Sequence, residues 1–355
     1  MTASPERATD LRIDLYSDTV TRPTAGMREA IASAEVGNEQ AQEDPTTNRL
    51  QERVAELLGQ EAAVFLPSGT MCNEIAYRVH CEPGDEIILD ATGHALHAES
   101  GGPAALSGVM CRTVEGRHGI FDADQVRAAL RSPSRHHPRS RLLNVENTCN
   151  FGGGSVWPVD RVREVCAAAR DAGLACHLDG ARLLNAVVAS GTPAHEYGAC
   201  FDSCWIDLSK GLGCPVGGVL AGSAAFIDRA WRFKHQFGGA LRQSGILAAA
   251  GLYALDHHVE RMAEDHANAR RLAEQVTVLP GIRVDMESVQ TNMVYLDVSA
   301  TAQKAEGLHQ ALLQRGVRIG VIDAVTMRAV THLDVDRAAV DEAATALAGV
   351  LDEAA

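Results

Sequence analysis

Between residues 62 and 189 the chain alternates short apolar runs with stretches of helical spacing, and this alternation restricts the fold more than any other feature. Residues 62–66, 86–89, 141–146 and 174–182 read as strands, and residues 71–80, 159–172 and 183–189 as helices. A strand followed by a crossover helix and another strand builds a parallel sheet, and its apolar faces need helices on both sides. The predicted class is α/β, a large domain with a mainly parallel sheet covered by helices on both faces, followed by a small C-terminal α+β domain. In that small domain residues 292–297 and 327–332 read as strands and residues 307–315 and 338–351 as helices. The predicted boundaries are a tail over 1–12, a large domain over 13–255 and a small domain over 256–355.

Charge excludes some functions. The formal net charge of -14 lacks the basic face that a nucleic acid or an anionic membrane surface needs, so any bound anion must be held by individual arginines. No apolar run approaches the length of a membrane span. The nine cysteines contain no Cys-x-x-Cys pair and no zinc-like spacing, which predicts free thiols in a reducing cytoplasm and no metal site.

Four stretches point to chemistry. Lys210 falls on the turn between two apolar strand-like runs, 204–208 and 216–221. An amine held among walls that exclude water can attack carbonyls, as a Schiff-base lysine must; alone, the stretch reads rather as an ordinary hairpin with a solvated lysine at its tip. Ser68, Gly69 and Thr70 join a strand to a helix, where backbone N–H groups can hold a phosphate or simply cap the helix. His94 follows the next strand. Asp179 ends a later strand, at the sheet edge where ligands collect in open α/β folds, and Arg182 follows it. A phosphate cradle, a histidine, a carboxylate and a turn lysine together fit pyridoxal phosphate, whose phosphate, flat ring, ring nitrogen and aldehyde need those groups in turn.

Beyond these residues the chain resembles the threonine aldolase family, pyridoxal-phosphate lyases of the aspartate-aminotransferase-like fold (fold type I). The likeness runs over nearly the whole length, through Asp14-Leu-Tyr-Ser-Asp-Thr-Val-Thr, Glu43-Asp-Pro-Thr, Leu66-Pro-Ser-Gly-Thr-Met, Glu146-Asn-Thr, His177-Leu-Asp-Gly-Ala-Arg, Leu208-Ser-Lys-Gly-Leu-Gly-Cys-Pro-Val-Gly, Leu241-Arg-Gln-Ser-Gly, Thr291-Asn-Met-Val and Val330-Thr-His-Leu-Asp-Val. The resemblance implies that Lys210, next to Ser209, bonds the cofactor aldehyde, that Asp179 keeps the pyridine nitrogen protonated, and that His94 stacks on the ring. It implies phosphate contacts from Gly69 and Thr70, and from Arg242 toward a neighbouring subunit, in a homodimer or homotetramer with sites at the dimer interface. Ser17, Arg182 and Arg328 align with contacts to the substrate carboxylate. The reaction implied is cleavage of a β-hydroxy-α-amino acid, such as L-threonine or L-allo-threonine, to glycine and an aldehyde, with His94, His136 or a water they orient as the base.

Departures from the family pattern fall at the expected substrate rim: Tyr16, Ala41 and Gln42, Cys149 and Phe151, and His235. Other readings are a pyridoxal-dependent transaldolase, β-eliminating lyase or racemase, a non-catalytic pyridoxal-binding relative, and a nucleotide-binding α/β protein. The last lacks a Gly-x-Gly-x-x-Gly or Walker loop.

Overall fold

The computed structural model describes residues 11–354, so the predicted tail lies outside the described residues up to residue 10. Among the described residues the strands are β1 (Ile13–Leu15), β2 (Ala62–Leu66), β3 (Glu86–Asp90), β4 (Met110–Val114), β5 (Ser140–Glu146), β6 (Ala175–Asp179), β7 (Ser203–Asp207), β8 (Gly218–Gly222), β9 (Met293–Asp297), β10 (Val317–Val321) and β11 (Thr326–Val330). Arg22–Glu260 form the larger of two compact units, and the described residues up to Thr21 together with those from Arg261 onward form the smaller.

The larger unit is built on a seven-stranded sheet in the order β2-β8-β7-β6-β5-β3-β4. Pairing is parallel from β7 through β6, β5 and β3 to β4, while β8 runs antiparallel to both β2 and β7, so it alone opposes the others. Every residue of β3, β7 and β8 is buried. Successive side chains point to opposite faces, so complete burial requires cover on both, which is the layered arrangement the alternation predicted.

Local chemistry sets the helix ends. The helix Pro45–Leu58 starts on Asp44, whose side chain accepts from Thr47 N at 2.9 Å, with proline in its first turn, and stops at Gly59 with φ 64°. The helix Gly69–His80 starts on Ser68, whose hydroxyl accepts from Met71 N at 3.2 Å. It begins two residues earlier than periodicity suggested, because the cap rather than the apolar pattern decides where the backbone turns.

Close packing fixes that start. A Cβ on the buried Gly69 would lie 2.3 Å from Trp205 Cη2, and the Trp205 ring is itself buried and tied by Nε1 to Asn73 Oδ1 at 2.7 Å. The ring has no room to retreat. Gly69→Ala is therefore expected to cost about 1–3 kcal/mol in urea unfolding, while Thr70→Ala, at an exposed position, stays within about 0.5 kcal/mol.

The smaller unit holds a sheet in the order β1-β10-β11-β9, with β1 parallel to β10 and the remaining pairs antiparallel. Leu15, Leu296, Ile319 and Met327 meet Leu272, Leu308 and Leu347 from its helices in one apolar core. The sequence reading put residues 13–21 with the large domain and did not foresee β10. Asp14 stands opposite Arg318, and Arg318 Nε donates to Asp14 Oδ1 at 2.9 Å. Such a cross-strand ion pair links residues far apart in the chain, which no local pattern reveals. Among the described residues no helix is long and apolar enough to cross a membrane.

Candidate active site

In the larger unit β6 and β7 are neighbours, with His177 opposite Ser203 and Leu178 opposite Cys204. Parallel pairing sends the last residues of both strands, Asp179 and Asp207, to the same edge of the sheet, about 5 Å apart per strand. Lys210 lies three residues beyond Asp207, and its Nζ donates to Asp207 Oδ2 at 2.7 Å. Ser209 N and Oγ both donate to Asp207 Oδ1, at 2.6 and 2.8 Å. Three donors on one buried carboxylate fold the turn back on itself and hold the amine beside the Trp205 ring, 5.7 Å from its centroid.

Asp179 is buried, with Oδ1 accepting from Ala181 N at 3.0 Å and Oδ2 from Asn73 Nδ2 at 2.8 Å. A carboxylate offers about four acceptor positions, so two such bonds leave capacity for a further N–H. The same Asn73 nitrogen donates to Glu99 Oε1 at 2.9 Å, and Glu99 Oε1 also accepts from His94 Nδ1 at 2.9 Å. His94 N donates to Glu146 Oε2 at 2.8 Å, which ties the end of β5 to the same cluster.

Burial opposes the charged form of His94. Its hydrogen bond to Glu99 and the charges of Asp179, Glu146 and Glu99 outweigh that effect and raise its pKa above the ordinary histidine value. Burial, with the charge of Asp179 next in weight, pushes Glu146 up to about 7.

Glu74 is one residue from Asn73 on the same helix; it is buried, and neither of its carboxylate oxygens has a hydrogen-bond partner. Burial first, then the charge of Glu99, lifts its pKa from 4.5 to about 8. A carboxyl that binds its proton more tightly folded than unfolded loses stability as pH rises between those two values. Glu74→Gln is expected to unfold at higher urea than the native chain at alkaline pH, by a few kcal/mol at most, with the two curves converging below the lower value.

The sequence-derived candidates fall into groups. Lys210, Ser209, Asp179 and His94 gather at the carboxyl edge of the parallel strands. Ser68, Gly69 and Thr70 join them, because β2 ends beside the start of β8, opposite Asp207, and a Cβ at Gly69 would lie 3.1 Å from Asp207 Oδ2. Arg182 is buried at the start of the helix Leu183–Ser190, three residues past Asp179. Arg242 is exposed, and its carbonyl accepts from Glu39 N at 2.8 Å. Ser17 and Arg328 are in the smaller unit, where Arg328 Nη2 donates to Tyr16 O at 3.5 Å.

His136 is not brought to this group. It is exposed in the segment before β5, and β5 runs parallel to β6, so the segment lies at the opposite edge from Asp179, roughly 20 Å away along a strand of this length. Nor is Cys149 a rim residue. It is buried, and its Sγ accepts from Trp157 Nε1 at 3.2 Å. Phe151 meets His97 edge to face at 5.8 Å. The sequence reading assigned no role to Asn73, Glu99 or Asp207. Asp207 had a signal in its position on the strand leading to Lys210, whereas Asn73 and Glu99 stand in ordinary helix and loop contexts.

Fold and site together describe an α/β enzyme core whose amine, carboxylate and histidine share one sheet edge, and comparison with known proteins gives that core its family. The chain belongs to the beta-eliminating lyase family, which matches residues 14–299, and within it to the group of the low-specificity threonine aldolases. It is 43% identical over 333 residues to the low specificity L-threonine aldolase of Escherichia coli K12, covering 94% of this chain and 97% of that one. It is 41% identical over 325 residues to low-specificity L-threonine aldolase 1 of Arabidopsis thaliana, covering 90% and 91%. The solved threonine aldolase of Leishmania major shares the fold with a TM-score of 0.80 at 19% identity, over 96% of this chain and 100% of that one. The family resemblance and the fold class read from the sequence are thereby borne out.

Proposed function

We propose that this chain is a pyridoxal-phosphate-dependent aldolase that cleaves a β-hydroxy-α-amino acid, L-threonine, L-allo-threonine or a related compound, to glycine and an aldehyde. The observation that supports this most is the placement of Lys210 and Asp179 at the ends of adjacent parallel strands at one sheet edge, a largely buried amine and a buried carboxylate with acceptor capacity left. The names of relatives more than 40% identical over 90% or more of the chain agree with it.

The residues present fit the cofactor. When bound, pyridoxal phosphate supplies an aldehyde that amines capture and a ring that stores the electron pair of a broken Cα–Cβ bond. Lys210 is the amine that would hold it and yield to the substrate amine. Asp179, fixed by Ala181 N and Asn73 Nδ2, would accept from the ring nitrogen and keep it cationic. His94 would flank the ring, with Ser68, Gly69 and Thr70 at the phosphate. Arg182 offers a planar pair of donors to a substrate carboxylate.

His94 is also the residue proposed to take the β-hydroxyl proton, directly or through a water. Its Nδ1 is committed to Glu99, which leaves Nε2 to exchange a proton, whereas His136 of the same chain lies at the opposite edge of the sheet. A homodimer or homotetramer in the cytoplasm completes this reading, with the exposed Arg242 serving the site of a second copy.

The test is a panel of L-threonine, L-allo-threonine and other β-hydroxy amino acids incubated with cofactor-loaded protein, with every product identified. Equal amounts of glycine and aldehyde are expected. Keto acid with ammonia, or exchange of enantiomers without cleavage, would replace this reading by a β-eliminating lyase or a racemase.

A further inference from the structure

Asn73 makes more polar contacts to the residues around Asp179 than any single member of the proposed machinery, although it is not one of the residues that would touch the cofactor. It is buried, on the helix Gly69–His80. Its Nδ2 donates to Asp179 Oδ2 at 2.8 Å and to Glu99 Oε1 at 2.9 Å, and its Oδ1 accepts from Trp205 Nε1 at 2.7 Å. Two carboxylates on one side and an indole N–H, which can only donate, on the other leave the amide one orientation.

That orientation determines the direction of the bonds behind it. His177 Nε2 lies 3.3 Å from Asn73 Oδ1, and an amide oxygen accepts, so Nε2 carries the hydrogen. Burial lowers His177 to about 3, so the ring is neutral and its Nδ1 must accept. The group 2.8 Å from Nδ1 is Ser203 Oγ, whose single hydrogen is therefore committed to it. Ser203 in turn accepts from His80 Nε2, also at 2.8 Å. Each N–H and O–H from His80 to Asn73 thus points toward Asp179 and Glu99. Dipoles aligned in a site that excludes water strengthen one another and favour the ionised carboxylates.

We propose that Asn73 is a positioning residue: by donating to both carboxylates with one amide it aims Asp179 and joins it to the Glu99–His94 pair, so that the two groups flanking the cofactor ring answer to each other. This rests on the function proposed above. The groups that set the charge around His94 are Glu99, Asp179 and Glu146, and Asn73 touches the first two. Without its amide, Glu99 Oε1 would keep His94 alone as donor, since Glu99 Oε2 has no partner. The Glu99–His94 pair would tighten while Asp179 lost one of its two donors.

The experiment uses Asn73→Leu, which replaces the amide by an apolar group of similar branching, and Asn73→Ala, which removes the amide without adding bulk or charge. Two readouts are taken: the titration of the His94 ring by NMR in protein freed of cofactor, and the retention and visible-band pH midpoint of added pyridoxal phosphate. The His94 midpoint is expected to rise by about half a pH unit in either variant, and cofactor is expected to be held about tenfold more weakly, the loss that one hydrogen bond to a charged group represents. A folded variant with an unchanged His94 titration and an unchanged band midpoint overturns the proposal; should Asn73→Leu fail to fold, Asn73→Ala decides it. If the native chain takes up no cofactor, the function proposed above falls, and the His94 titration still decides the role of Asn73.

Discussion

Lys210→Ala is expected to abolish cleavage of the β-hydroxy amino acid that the native chain turns over best, with kcat/KM falling on the order of 10^4-fold or more, because the residue proposed to bond the cofactor has no substitute nearby. Borohydride reduction of the loaded native chain should leave a cofactor-sized mass on the peptide containing Lys210 and none on the variant. The fold is expected to survive. Lys210 has 15% of its side chain exposed and makes one ion pair, and the Asp207 carboxylate it leaves behind still accepts from Ser209 N and Oγ. Lys210→Arg keeps that pairing and is expected to be as inactive as alanine, since a guanidinium stays protonated and does not attack an aldehyde. Activity within tenfold of native in either variant would remove Lys210 from the proposed role, and with it the proposed function.

Asp179→Asn is expected to lower kcat by about 10^2- to 10^3-fold and to weaken the hold on cofactor, because a neutral amide cannot keep a ring nitrogen cationic at one end of the electron path. A stability loss of about 1–3 kcal/mol should accompany it. Asp179 accepts from Ala181 N on one oxygen and from Asn73 Nδ2 on the other, while asparagine has one oxygen and one NH2 group. Either way round, a donor faces a donor. Steady-state kinetics and urea unfolding separate the two effects, and a variant that keeps its native kcat while losing stability would reduce Asp179 to a structural role.

The two predictions differ in character because the two residues sit differently in the chain. Lys210 acts from a turn that its own neighbours build, Asp207 and Ser209 lying within three residues of it. Asp179 acts from the end of a strand, and one of its two donors comes from a residue 106 positions away.

What the sequence determined by itself follows from local signals. Alternating strand and helix patterns over residues 62–189 specified the parallel core, because a buried strand and an amphipathic helix each write their period into a few consecutive residues. The turn lysine, the strand-ending aspartate and the strand-to-helix stretch 68–70 were legible for the same reason, since each is defined by the elements on either side. Tertiary structure alone decided which strands met. It set β8 against its neighbours, brought β1 and β10 together through Asp14 and Arg318, sent His136 to the far edge of the sheet, and turned Asn73 of an ordinary helix toward Glu99 and Asp179. Those contacts join residues that share no stretch of chain, and a pattern confined to neighbours cannot hold information about partners that only folding brings within hydrogen-bond reach.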